Sequence, residues 1–106
     1  MFVRVLHMKL KPGGGKGLSV AAEKEILPIL KKFAGFDGEF TLVSTDGKEA
    51  LGVTLWHRKE DAETYNREGT ASVLKVVQKY TEGKSVPHVY DVTHSTVQTL
   101  PVRKAA

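Results

Sequence analysis

Residues 39–57 read Glu39-Phe40-Thr41-Leu42-Val43-Ser44-Thr45-Asp46-Gly47-Lys48-Glu49-Ala50-Leu51-Gly52-Val53-Thr54-Leu55-Trp56-His57. Two β-rich runs, Glu39 to Ser44 and Glu49 to His57, flank Thr45-Asp46-Gly47-Lys48, and an Asp-Gly pair between such runs is a hairpin signal. Side chains alternate along a strand, so Leu51, Val53 and Leu55 share one face while Ala50, Gly52, Thr54 and Trp56 share the other. Neither face is polar. A strand with one side in water alternates apolar with polar residues more cleanly than this.

Working outward from the hairpin, Phe2 to Lys11 is a first strand that stops at Pro12-Gly13-Gly14-Gly15. It too is apolar on both sides, with Phe2, Leu6, Met8 and Leu10 opposite Val3 and Val5. Ser19 is placed to cap a helix running to about Ala34, whose stripe is Ile26, Ile29, Leu30 and Phe33. Pro28 predicts a kink or break in it, and Gly35 stands where a left-handed C-cap belongs. After the hairpin, Lys59 to Asn66 is helical in composition and Gly69 interrupts it. Thr70 is placed to recap a segment bearing Val73, Leu74, Val76, Val77 and Tyr80, which Gly83 would end. Val86 to about Val97 predicts a long last strand. The order is βαββαβ, an α+β, ferredoxin-like arrangement with both helices on one sheet face. Apolar residues on both faces of the strands then imply a cover for the second face. A second copy in a two-fold homodimer is the simplest one.

The chain has 106 residues, fitting one domain over 1–100 with a flexible tail at 101–106. It contains no cysteine, which excludes disulfides, zinc-thiolate sites and thiol nucleophiles. Sixteen Lys and Arg against twelve Asp and Glu give a formal net charge of +4, without a like-charge run. That is a solvated surface and not a nucleic-acid footprint, which wants clustered basic residues in a known module. The apolar runs are strand-sized, so no membrane span is expected, and the N-terminus reads as a strand and not a signal peptide. Cytoplasm is the default location.

The stretch Gly35-Phe36-Asp37-Gly38-Glu39-Phe40, the hairpin, and Leu55-Trp56-His57-Arg58-Lys59-Glu60-Asp61-Ala62 resemble the antibiotic biosynthesis monooxygenase family. There a glycine-aromatic turn follows the first helix, and the third strand ends in tryptophan. The resemblance runs over roughly Phe2 to Thr96. It implies a dimeric α+β barrel and a small aromatic or quinone-type ligand. It also implies, for some members, a monooxygenase that uses no cofactor because the ionised substrate supplies the electrons. The chain departs from the family's best-marked chemistry. The heme-degrading members carry asparagine, tryptophan and histidine where this chain has Leu6, Tyr65 and Lys75. The polyketide oxygenases carry asparagine at the position of Gly52. The alternative function, from another class, is a non-catalytic barrel that binds a small ligand or serves dimerisation.

Small residues at Ala50, Gly52 and Thr54 leave volume between sheet and helices unless large helical residues fill it. The expected substrate pocket is lined by Arg4, Leu6, Gly52, Thr54, Trp56 and Tyr65, and Phe33 and Val77 are the residues that would fill it instead. Trp56 reads equally as a core aromatic. Among His7, His57, His88 and His94, the pair His88 and His94 stands ~20 Å apart along a strand, too far for one ion. No acidic co-ligand has metal spacing, so surface or interface roles are expected and no metal. No motif assigns a catalytic residue. His7, on the face opposite Leu6, is the candidate general base. Pro12-Gly13-Gly14-Gly15-Lys16-Gly17 lacks the hydroxyl that follows lysine in a phosphate loop and reads as a flexible loop.

Overall fold

The Asp46-Gly47 turn closes through its own side chains. Asp46 Oδ1 accepts from the Ser44 hydroxyl at 2.7 Å and from the Lys48 N–H at 2.9 Å, while the Glu49 N–H donates to Ser44 Oγ at 3.0 Å. Gly47 takes φ 73°, the left-handed region that glycine enters without a Cβ penalty. In the computed structural model, which describes residues 1–97, this turn joins β2 (Phe36–Val43) to β3 (Glu49–Trp56). With β1 (Phe2–Leu10) and β4 (Thr81–Asp91) they form one antiparallel sheet in the order β2-β3-β1-β4. Residues 98–106, which include the tail expected over 101–106, lie outside the described residues.

The β1–β3 register sets the two faces. Phe2 pairs with Trp56, Arg4 with Thr54 and Leu6 with Gly52, and β2 adds Glu39 beside Thr54 and Thr41 beside Gly52. Paired residues share a face, so these side chains lie under the helices. There Leu18, Ala22, Ile26, Leu30, Ala62, Tyr65, Val73 and Val77 close the core over Leu6, Met8, Leu10, Ala50 and Trp56. The opposite face carries Val3, Val5, Leu51, Val53 and Leu55, with Phe40, Leu42, Val86 and Tyr90 between 42% and 50% exposed. The α+β arrangement predicted from element order is the one observed.

Several local expectations are corrected. The first helical stretch starts at Gly14 and not at Ser19: α1 (Gly14–Ala21) passes through a π turn (Ala22–Ile26) into α2 (Leu27–Leu30). The glycine run is thus mostly helix. A Cβ at Gly14 would collide with the Tyr80 carbonyl, so close backbone approach explains that glycine better than a loop does. Ser19 lies inside α1, its hydroxyl donating to the Gly15 carbonyl at 3.0 Å. Pro28 does not break the helix. The wide turn just before it accommodates a residue that has no N–H to donate and a ring that crowds the preceding turn.

Helices α3 (Lys59–Glu68) and α4 (Thr70–Val77) separate at Gly69 as expected, but Thr70 makes no capping bond. A Cβ at Gly69 would meet the Tyr65 ring at 2.6 Å and the Phe33 ring at 2.8 Å, so the break admits two aromatic rings. The last strand begins at Thr81, earlier than Val86, and ends at Asp91, short of Val97. Gly83 does not terminate a helix. It takes φ 68° where the β1–β4 register shifts between His7 and Lys9, the conformation and place of a bulge. Among the described residues no helix is long and apolar enough to cross a membrane.

Gly35 follows α2 with φ 79°, and its carbonyl accepts from the His57 N–H at 2.8 Å. A Cβ there would strike the Asp61 carboxylate, which Arg58 holds at 3.1 Å and keeps below the usual carboxylate range through that hydrogen bond. Gly35→Ala combines left-handed strain with displacement of this pair, and is expected to cost at least roughly 2 kcal/mol. Urea denaturation with an unchanged m-value checks it.

Candidate functional site

Trp56, at the end of β3, is fully covered, and its indole N–H donates to Thr54 Oγ1 at 2.8 Å. The Thr54 hydroxyl in turn donates to the Arg4 carbonyl at 3.4 Å, joining the two central strands through side chains as well as backbone. The indole stacks on Tyr65 of α3, centroids 5.0 Å apart and planes 22° from parallel. Phe33 meets the other part of Tyr65 edge-on at 5.4 Å, and Phe36 meets Trp56 at 5.7 Å. Four aromatic side chains from four segments thus form one wall, in the offset and edge geometries that ring quadrupoles favour.

Arg4 reaches over this wall from β1. Its Cζ lies 5.1 Å from the Tyr65 ring centroid, its Nε donates to Asn66 Oδ1 at 3.1 Å, and its Nη2 donates to Thr70 Oγ1 at 3.1 Å. Thr70 passes its own proton to the Tyr65 carbonyl at 3.4 Å. Arg4 is only 2% exposed. Burial lowers its pKa, although Tyr65 opposes the shift. Burial also pushes the Tyr65 hydroxyl up to about 12, against the pull of Arg4, so Tyr65 is a neutral phenol at any ordinary pH. Glu39 on β2 is raised above the usual carboxyl range by partial burial.

Between the sheet and the helices lies a cavity of about 40 Å³. Arg4, Leu6, Gly52, Thr54 and Tyr65 line it, five of the six residues expected there. Trp56 is not on its surface and acts through Tyr65 and Thr54. Val77, one of the two residues expected to fill the volume, does line it, while Phe33 packs on Tyr65 instead. Half-buried Glu39 and Thr41, on edge strand β2, give the cavity a polar rim. This volume suits a few water molecules; a ligand pocket is nearer ~300 Å³ or more. One side chain controls the difference: a Cβ on Gly52 would lie 3.3 Å from Met8 Cε, so the flexible Met8 end occupies the space that Gly52 leaves.

Sequence reading gave Glu39, Asn66, Thr70 and Met8 no part in the site. Asn66 stands in the last turn of α3 and Thr70 opens α4, on either side of Gly69, and their partner Arg4 stands more than sixty positions away.

His7 lies across the sheet from this cavity, exposed on the bare face, with its ring edge-on to His88 at 5.3 Å. It lines a separate open cleft of about 560 Å³ with Leu42, Leu51, Val86 and Lys84. As a general base His7 serves only a ligand on that face. His57 lies 4.0 Å from Asp37, both exposed. Among the described residues no group of three or more His, Cys, Asp or Glu is placed to hold a metal ion.

No protein-family model and no curated protein matches the sequence. Solved structures do. A monooxygenase of Streptomyces coelicolor in complex with nanaomycin D superposes with a TM-score of 0.74, at 15% identity over 91% of this chain and 90% of that one. SnoaB, a cofactor-independent oxygenase of Streptomyces nogalater, gives 0.69 at 10% identity over 90% and 95%. The chain shares the fold of the antibiotic biosynthesis monooxygenases. A Bordetella bronchiseptica protein assigned to that group gives 0.68 at 14% identity over 85% and 94%. At such identities the likeness concerns the backbone and leaves the site to be argued from this chain's own residues.

Thr54→Val removes the acceptor for the Trp56 N–H while keeping the shape of the side chain. Stranding a buried donor costs about 1–3 kcal/mol. Thermal unfolding is expected to show that loss, together with a changed emission spectrum of Trp56, the single tryptophan.

Proposed function

We propose that this protein binds a small aromatic or quinone-type molecule between its sheet and helices and oxidises it with dioxygen without a cofactor. The observation that carries the reading is a cavity lined by apolar side chains and by Tyr65, the ring of the Trp56–Tyr65–Phe33–Phe36 cluster that faces it, with polar groups at Arg4, Thr54 and the β2 rim. Its occurrence in the fold of a monooxygenase that holds nanaomycin D and of a cofactor-independent oxygenase supports it. An electron-rich phenolate is its own reductant. One electron passes to dioxygen, and recombination places one oxygen atom on carbon while the other leaves in water. For an anthrone the balance is a CH2 group and O2 going to C=O and H2O. The protein's part is to orient the ring against Tyr65, which the other three aromatic side chains hold in place, and to exclude water. Met8 must turn away from Gly52 for the ring to enter.

The homodimer belongs to the same proposal. Val3, Val5, Phe40, Leu42, Val86 and Tyr90 make the bare sheet face apolar, and a two-fold partner is the cover that βαββαβ topology leaves room for. Phe40→Lys with Val86→Lys is expected to reduce the mass by light scattering from twice the 11.6 kDa chain mass to a single copy. An unchanged dimer would place the contact elsewhere.

A second reading, a non-catalytic barrel that binds a ligand or only dimerises, is favoured by the small cavity and by Leu6 and Gly52 standing where enzymes of this fold are polar. Oxygen uptake with an anthrone or quinol distinguishes the two. The native protein is expected to exceed the protein-free blank, and Gly52→Leu, which fills the space against Met8, is expected to return uptake to the blank while remaining folded. Quenching of Trp56 without uptake would support the second reading.

A further inference from the structure

We infer that the sheet–helix cavity selects molecules that arrive already ionised at an oxygen, anchored by the Arg4 guanidinium. The inference deepens the proposed function and rests on the same cavity. Its basis is a buried cation without a counter-ion. Arg4 is 2% exposed, yet its two hydrogen-bond partners, Asn66 and Thr70, are neutral, and its third contact is the face of Tyr65. Among the described residues no carboxylate lies within ion-pairing distance of it.

Burying a charge in this way is unfavourable unless something offsets it, and a hydrophobic replacement of the same size would ordinarily serve the core better. Asn66 is exposed and Thr70 half-buried, so neither needs Arg4 to satisfy its polar atoms. The guanidinium has a fork that suits an oxyanion, and Arg4 lines the cavity with Nη1 making no hydrogen bond to the protein among the described residues.

The same surroundings offer one carboxylate as internal base, and it stands at the rim. The titratable groups lining the cavity are Arg4, Tyr65 and Glu39. Tyr65 already holds its proton, and Glu39 stands on edge strand β2, paired with Thr54 and not near enough to Arg4 to form an ion pair. A ligand whose own acidity ionises it at neutral pH, such as a hydroxyquinone, needs no such base. It gains the guanidinium as partner at once.

The test uses 2-hydroxy-1,4-naphthoquinone and its 2-methoxy ether, which share a ring system and differ in charge, titrated against Trp56 fluorescence at neutral pH. The native protein is expected to bind the anion at least roughly tenfold more tightly than the ether, the scale of one charge-assisted hydrogen bond. Arg4→Met is expected to bring that ratio near one with ether binding kept and the melting temperature not lowered. Arg4→Lys, which retains the charge but not the fork, is expected to fall between and guards against a folding failure of the first variant. Glu39→Gln, which removes a negative charge from the rim, is expected to tighten anion binding. Equal affinities in the native protein, a ratio unchanged by Arg4→Met, or a ratio lost in Glu39→Gln would each overturn the inference and leave the aromatic pocket standing. Failure of both probes to bind would overturn the pocket and the inference with it.

Discussion

The pairing of β1 with β3 is the constraint on which the rest of this molecule depends. Arg4 opposite Thr54 and Phe2 opposite Trp56 are consequences of one register, and side chains alternate with a period of two. A slip of one residue would send Arg4, Leu6 and Met8 to the bare face and bring Val3, Val5 and His7 beneath the helices. The Trp56–Thr54–Arg4 hydrogen bonds lock that register with side chains, because Thr54 accepts from the indole and donates across the strand pair. The aromatic wall, the cavity and the position of the buried cation all follow.

Within that frame the site is a compromise between packing and recognition. Trp56, Tyr65, Phe33 and Phe36 contribute the apolar burial that a chain of this size needs from relatively few side chains. Gly69 and Gly52 are small for complementary reasons. Gly69 makes room for the rings of Tyr65 and Phe33, and Gly52 makes room that Met8 takes up. Arg4 departs from core logic as a buried cation without a carboxylate partner among the described residues, and this is the observation on which the proposed anion selectivity rests.

Much of the architecture was legible because the signals were local. Asp46-Gly47 set the hairpin, Gly69 marked a helix end, and Pro28 marked a disturbance that proved to be a widened turn; Gly35 is left-handed but is not the cap, since α2 ends at Leu30 with Lys31 as its C-cap. The misreadings were of residues whose role is a contact with a distant segment. Ser19 looked like a cap because the glycines before it look like loop, and their helical state depends on Tyr80 lying against them. Thr70 looked like a cap and is instead a partner of Arg4. Gly83 looked like a helix stop and is a bulge forced by the β1–β4 register. The place of the cavity between sheet and helices was legible, since period-two alternation tells which residues share a face. Its size was not legible, because volume depends on where flexible ends such as that of Met8 come to rest.

The sequence by itself determined the order of elements, the antiparallel hairpin and the composition of both sheet faces, since each depends on neighbours or on alternation along the chain. Only the tertiary structure decided that Trp56 stands behind Tyr65 instead of in the cavity, that His7 is shut off from that cavity by the sheet, and that Arg4 is buried among neutral partners. The burial of Arg4 depends on contacts across more than sixty residues, and no local pattern specifies how side chains from separate elements share one small volume.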